Sequence, residues 1–341
     1  MTAPLFERLD LDLRDEDHAV LEPLCTPVEV AAGTSLVEAG ATDRALYVVR
    51  EGELAVLLPK EPAALELREL HPGDLVGEDA FLDGEPHACT IHARTAASLM
   101  RLDFEAFETT LVPRHGPAAS RLLLALARRI ASRLHAASCV RIENVDDDPE
   151  LEVLSCLGEM CAQEHRPRQP FHAVSMSAYA GSARPLEGDE RAYGVGLAAK
   201  ILQPLGHELY YGLGERLDIR KYEAGAEIVR AGSRPDGLYL LLGGRAALTS
   251  EGAASPLRRE ATLEAGAMFG QVAFLLDTPR VDTVRAEEAT HVGIIGSHVV
   301  QGLMRYANQG RPAGARGWHW IATNTVADWR LLLTRLQSLA G

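Results

Sequence analysis

Gly77-Glu78-Asp79-Ala80-Phe81-Leu82-Asp83-Gly84-Glu85-Pro86-His87-Ala88-Cys89-Thr90 is written a second time, with changes, as Gly270-Gln271-Val272-Ala273-Phe274-Leu275-Leu276-Asp277-Thr278-Pro279-Arg280-Val281-Asp282-Thr283. Each stretch runs Gly, an acid or amide, any residue, then Ala-Phe-Leu. Pro follows eight residues after the acid or amide, then a basic residue, and Thr closes the stretch. A helix N-terminus carries unpaired N–H donors and a partial positive charge, which suits an anion. A Gly at that point lets the backbone approach a ligand closely, and an Arg fork matches phosphate oxygens better than an ammonium does.

The repeat extends outward from the two stretches. A shift of 192 places Gly33 on Gly225, Gly40 on Gly232, Leu46-Tyr47 on Leu238-Tyr239 and Gly52 on Gly244. A shift of 193 then places Gly73 on Gly266, Gly77 on Gly270, Phe81 on Phe274 and Thr90 on Thr283. Such self-similarity is the mark of a duplicated unit. Within the first copy, Val28–Val30, Thr34–Val37, Ala45–Val49, Leu54–Leu58, Leu65–Leu70, Thr90–Ala93 and Ala97–Leu102 are short strand-like runs divided by Gly turns. Helical spacing replaces them from Phe104, and Leu122, Leu123, Leu126, Ile130 and Leu134 share a stripe of a longer helix over Ala118–Ala137. Residues 5–24 read as short amphipathic helices, and Trp318–Leu339 as an amphipathic helix that closes the second copy.

These features resemble the phosphate-binding cassette and surrounding fold of cyclic nucleotide-binding domains, the family of catabolite-activator proteins and protein kinase A regulatory subunits. The resemblance covers roughly 5–138 and 195–339 and implies two small β jelly-roll barrels, each with N- and C-terminal helices. The expected division is 1–138 for the first domain, 139–193 for an irregular linker with one possible helix, and 194–341 for the second domain. In the family the Glu accepts a hydrogen bond from the ribose 2′-hydroxyl, and the Arg holds the cyclic phosphate. The candidate ligand residues are therefore Gly270, Gln271, Val272, Ala273, Arg280, Val281 and Thr283 in the second copy. Their counterparts in the first are Gly77, Glu78, Asp79, Ala80, His87, Ala88 and Thr90.

Each cassette departs from the family pattern at one anchor. Copy one keeps Glu78 but has His87 in place of Arg; copy two keeps Arg280 but has Gln271 in place of Glu. A missing charge-assisted phosphate contact costs about 1.5–3 kcal/mol, or roughly ten- to a hundredfold in affinity. By that measure copy two is the better site, although Asp282 sets a like charge beside a bound phosphate. His87 holds phosphate only when protonated.

Composition narrows the alternatives. The 341 residues suffice for two domains, and 47% hydrophobic with 24% charged residues is that of a globular protein. A net charge of −14 argues against DNA and anionic lipid as partners. No membrane span or signal pattern is evident, and five irregularly spaced cysteines read as reduced thiols, so a cytoplasmic protein is expected. The high Ala, Leu and Arg usage suggests a bacterial source.

Neither His87, Cys89 and His92 nor Cys156, Cys161, His165 and His172 makes a convincing metal set, so no metal is expected. Arg128-Arg129-Ile130-Ala131-Ser132 looks like a kinase substrate, but its place on a helix predicts a solvated face instead. No helix-turn-helix fits after Leu339, and no catalytic motif stands out. Expected, then, is a non-enzymatic regulatory protein whose partner is another protein or a second copy reached through the flanking helices, with a cyclic nucleotide as the possible ligand and no resident cofactor. The competing expectation is a scaffold whose barrels serve only as interaction modules.

Overall fold

Alternating apolar and polar residues in runs of three to seven, each stopped by a turn, leave these segments one way to bury their apolar faces: as strands packed sheet on sheet. The computed structural model describes residues 13–61, 63–139, 184–206, 216–250, 260–309 and 311–339. They form two compact units. The first takes the described residues up to Arg133 together with those from Ala307 onward; the second takes residues 134–139 and 184–306.

In the first unit, β1 (Thr26–Val30), β8 (Ala97–Asp103), β3 (Ala45–Glu51) and β6 (Leu75–Val76) make one antiparallel sheet, in that order. The facing sheet runs β2 (Ser35–Val37), β7 (Thr90–Ala93), β4 (Leu54–Leu58) and β5 (Leu65–Leu70). Leu54, Leu58, Leu70, Leu75 and Leu99 fill the space between them and are wholly buried. The helix Asp15–Leu21 is tied to the long helix Gly116–Cys139 by Arg121, whose Nε donates to Asp17 Oδ2 at 2.6 Å.

The second unit repeats the plan. Its sheets are β15 (Met268–Phe269), β12 (Gly237–Gly243), β17 (Thr290–Gly296), β10 (Asp218–Tyr222) and β9 (Arg184–Pro185), and β11 (Glu227–Val229), β16 (Asp282–Ala286), β13 (Ala246–Ser250) and β14 (Glu260–Leu263). Tyr239 and Leu241 of β12 point into a core with Phe269, Val284, Val292 and Ile294. Leu238, Leu240 and Leu242 on the other face of the same strand are buried too, which explains a run of apolar residues rather than an alternation.

Three expectations need correcting. The linker was expected to run over 139–193 as an irregular segment with one possible helix, and the second domain to start at 194. Arg184–Pro185 instead pairs with β10, and a helix spans Gly188–Leu202, opened by Gly188 with Asp189 and Glu190 in its first turn. The helix expected to close the second copy spans Pro312–Leu339 and packs on the short helix Glu78–Asp83 of the first cassette. Finally, Arg128, Arg129 and Ser132 are buried, at 7%, 4% and 8% exposure, rather than on a solvated face. The acidic break Glu143–Glu150, the possible helix over 151–164 and the Cys156–His172 cluster lie outside the described residues. Among the described residues no helix is long and apolar enough to cross a membrane, and no His, Cys, Asp and Glu cluster of three or more could hold a metal.

Candidate functional site

Gly77 begins the first cassette with φ +89°, and a Cβ there would lie 2.5 Å from Ala45 O. The helix it opens, Glu78–Asp83, is anchored by Phe81, whose ring meets Phe104 and Phe107 edge-on at 5.3 Å each. Glu78 turns inward and is 3% exposed. Burial alone pushes its carboxyl upward, but Arg133, Arg68 and Arg129 outweigh that and hold it below the usual carboxylate range. Arg133, from the helix Gly116–Cys139, makes the direct ion pair with Glu78. Asp79 beside it is raised, first by burial and then by the Glu78 charge.

Gly77, Glu78, Asp79 and His87 line one cavity of about 60 Å³ with Cys89, Arg68 and Arg133, and Trp329 and Leu333 of the last helix border it. That is room for a few waters on a scale where one water occupies about 10–15 Å³. His87 is 4% exposed, and its Nε2 lies 2.9 Å from Asp43 O and 3.4 Å from Asp43 Oδ1. Both partners are acceptors, so Nε2 carries a proton. Tyr47 completes the group, its hydroxyl donating to Asp43 Oδ2 at 2.7 Å.

The second cassette is built alike. Gly270 has φ +81° and starts the helix Gln271–Leu276, and the ring of Tyr239 stacks on Phe269 at 5.3 Å. Arg280 Nη2 donates to Asp236 Oδ1 at 2.7 Å and to Gly237 O at 3.1 Å, while Nη1 donates to Gly270 O at 3.3 Å. Its guanidinium lies 5.0 Å from the Tyr239 ring, and the Tyr239 hydroxyl donates to the same Asp236. A Cβ on Gly270 would come within 2.4 Å of Arg280 Nη1.

The other sequence-derived residues fall into two groups. Ala80, Gln271, Val272 and Ala273 are buried in their short helices, while Ala88 and Val281 are partly exposed. Thr90 and Thr283 serve the fold: Thr90 Oγ1 accepts from the Ala39 N–H and Thr283 Oγ1 from the Ala231 N–H, each at 3.0 Å. Asp282 accepts from Ser250 Oγ at 2.7 Å across β13 and β16.

Sequence reasoning missed Asp43, Asp236, Arg133, Trp329 and Arg330. For Arg133 a signal existed, since Arg129 and Arg133 stand one helical turn apart. Arg330 pairs with Asp83, with Nη2 to Oδ1 at 2.9 Å, and its Nη1 donates to Pro86 O at 2.8 Å.

Two antiparallel barrels, each with a Gly-opened helix and a loop held at a basic residue, define a tandem jelly-roll protein. Residues 27–112 and 219–306 both match the cyclic nucleotide-binding domain, and the chain belongs to that family. A cAMP-dependent protein kinase regulatory subunit of Aspergillus fumigatus is 28% identical over 101 residues, 30% of this chain and 24% of that protein. The HTH-type transcriptional regulator Cmr of Mycobacterium tuberculosis is 35% identical over 121 residues, 35% of this chain and 48% of that protein. The match thus spans about a quarter to a half of these relatives' lengths. The regulatory domain of Toxoplasma gondii PKA, crystallised with cAMP, aligns over 89% of this chain and 91% of that one at 19% identity, with a TM-score of 0.30.

Proposed function

We propose that this chain is a non-enzymatic, cytoplasmic regulatory protein that senses a small anion of the cyclic nucleotide kind. In this reading the ligand enters the first barrel, and the signal passes to a partner protein or a second copy through the helices flanking it. The observation that carries the reading is the cavity at the first cassette. The cassette residues Gly77, Glu78, Asp79 and His87 form part of its wall, and Arg133, Trp329 and Leu333 from two long helices form another part. A ligand there would touch sensing loop and transmitting helices together. Arg68 and Arg133 stand on its wall beside Glu78 and Asp79, so the pocket offers guanidinium donors next to two carboxyl groups. Kinase regulatory subunits among the relatives support the regulatory role.

The motif alone favoured the second cassette. Against that preference stands the use of Arg280 by Asp236, Gly237 and Gly270, which leaves a phosphate to compete with a half-buried carboxylate for the same guanidinium. The same observation, together with the His87–Asp43 contact, favours a second reading: barrels kept as interaction modules with their anchors satisfied internally. A melting screen against cyclic mono- and dinucleotides separates the two. A nucleotide-dependent rise in melting temperature is the sensor's result. Silence across the panel, with self-association in sedimentation, is the scaffold's.

A further inference from the structure

We propose that Asp79 is the phosphate donor of the first cassette, its side-chain O–H supplying the contact that the family's arginine would make. This assignment deepens the proposed function, on which it rests, by naming the group that meets the anion. Asp79 lines the cavity together with Glu78, His87 and Cys89 of the cassette, Arg68 of β5 and Arg133 of the helix Gly116–Cys139. His87, in the arginine's place, presents Nε2 to Asp43 O at 2.9 Å and to Asp43 Oδ1 at 3.4 Å, so that N–H is engaged by the protein. The nearby guanidiniums are engaged as well. Arg133 makes its ion pair with Glu78, Arg68 Nη2 donates to Leu75 O at 2.8 Å, and Arg330 reaches Asp83 and Pro86 O.

Glu78 and Asp79 are adjacent carboxyls on one wall, and like charges side by side in a buried site favour keeping one proton. Burial works against the Glu78 charge, but Arg133, Arg68 and Arg129 keep that carboxyl ionised. Asp79 is the one raised, by burial first and by the Glu78 charge next, while Arg330, the Ala80 N–H and His87 pull the other way without reversing the direction. Cys89, raised by burial and then by Asp79, adds no charge of its own. A protonated carboxyl has one O–H to give, and an O–H donated to an anionic oxygen is among the stronger hydrogen bonds. Once ionised, the same group would set a like charge against a bound phosphate. Phosphate binding at this cavity is therefore tied to the Asp79 proton.

Calorimetric titration of the full chain with cyclic AMP and cyclic GMP across a pH series tests the contact. Affinity should fall about tenfold or more as pH rises through the Asp79 ionisation. Asp79→Asn, which keeps a donor and has no charge to gain, should lose that fall. Asp79→Leu, with no donor, should bind about tenfold more weakly than Asp79→Asn at every pH. A fall caused by His87 would be common to the unaltered chain and Asp79→Asn, so parallel profiles would overturn the assignment. Equal affinities of the Asn and Leu variants would overturn it too. No heat in any of the proteins at any pH would instead remove the sensing reading, and the contact with it. Melting without ligand examines the proton by itself. An acid raised in the folded state stabilises fully below its unfolded value, and that contribution is lost as pH rises through the folded one. The melting temperature of Asp79→Asn relative to the unaltered chain should therefore climb with pH; a difference that falls with pH would mean an ionised, stabilising Asp79 and would contradict the proposal.

Discussion

Arg280 Nη2 meets the Asp236 carboxylate at 2.7 Å in the second barrel, and in the first His87 Nε2 meets the Asp43 main-chain carbonyl at 2.9 Å with the Asp43 carboxylate at 3.4 Å. In both, a tyrosine hydroxyl, of Tyr239 or Tyr47, donates to the same aspartate. The basic position of each cassette is thus held by an aspartate from the turn before β12 or β3, and that aspartate's carboxylate by a phenol. The duplication kept this arrangement while the base itself changed from one copy to the other.

Asp236→Ala leaves the Arg280 guanidinium, 4% exposed, without its carboxylate. Breaking a buried pair from one side costs about 3–5 kcal/mol, so the variant should lower the denaturant midpoint of the second barrel markedly. Asp236→Ala combined with Arg280→Leu should recover much of the loss.

His87→Arg combined with Asp43→Ala should strengthen nucleotide binding in the first barrel. Asp43 would otherwise engage the new guanidinium as Asp236 engages Arg280, so removing that carboxylate leaves the fork for the phosphate. A gained charge-assisted phosphate contact predicts about ten- to a hundredfold tighter binding by calorimetry.

Glu78 gives a pH dependence whose sign is fixed. Burial raises its carboxyl, but the three arginines lower it further, so the folded value lies beneath the ordinary 4.5. Its contribution to stability is complete above the unfolded value and disappears as pH falls through the folded one. The melting-temperature difference between the unaltered chain and Glu78→Gln should be largest near neutrality and shrink below about pH 4.5.

Gly77→Ala meets two obstacles at once. The backbone at φ +89° disfavours any side chain, and the added methyl would sit 2.5 Å from Ala45 O. A loss of about 2 kcal/mol or more is expected in urea unfolding, with the first barrel's transition moving and the second's staying.

The barrels could be read from the chain because their cause is local. Strand runs at period two, Gly turns at matched spacing and the doubled Gly-x-x-Ala-Phe-Leu stretch each carry their meaning within a few residues. The cassette positions were legible for the same reason. What stayed hidden depends on partners far apart in sequence. Asp43 has no motif of its own, and only the fold brings it to His87. Trp318–Leu339 shows an apolar stripe that suits the second barrel as well as the first; its destination is decided by Arg330 and His319 meeting the end of a helix some 240 residues earlier. The burial of Arg129 was misread, and Arg133 missed, because arginines on a helix ordinarily face water. Here Glu78, itself buried, draws them in.

Calorimetric titration with cyclic AMP and cyclic GMP, run on the unaltered chain, Glu78→Gln and Arg280→Ala, tests the sensing reading most directly. Binding in the unaltered chain, weakened about tenfold or more by Glu78→Gln and little changed by Arg280→Ala, is the predicted result. Heat that survives Glu78→Gln and vanishes with Arg280→Ala would move the site to the second barrel, and no heat with either nucleotide would contradict nucleotide sensing altogether.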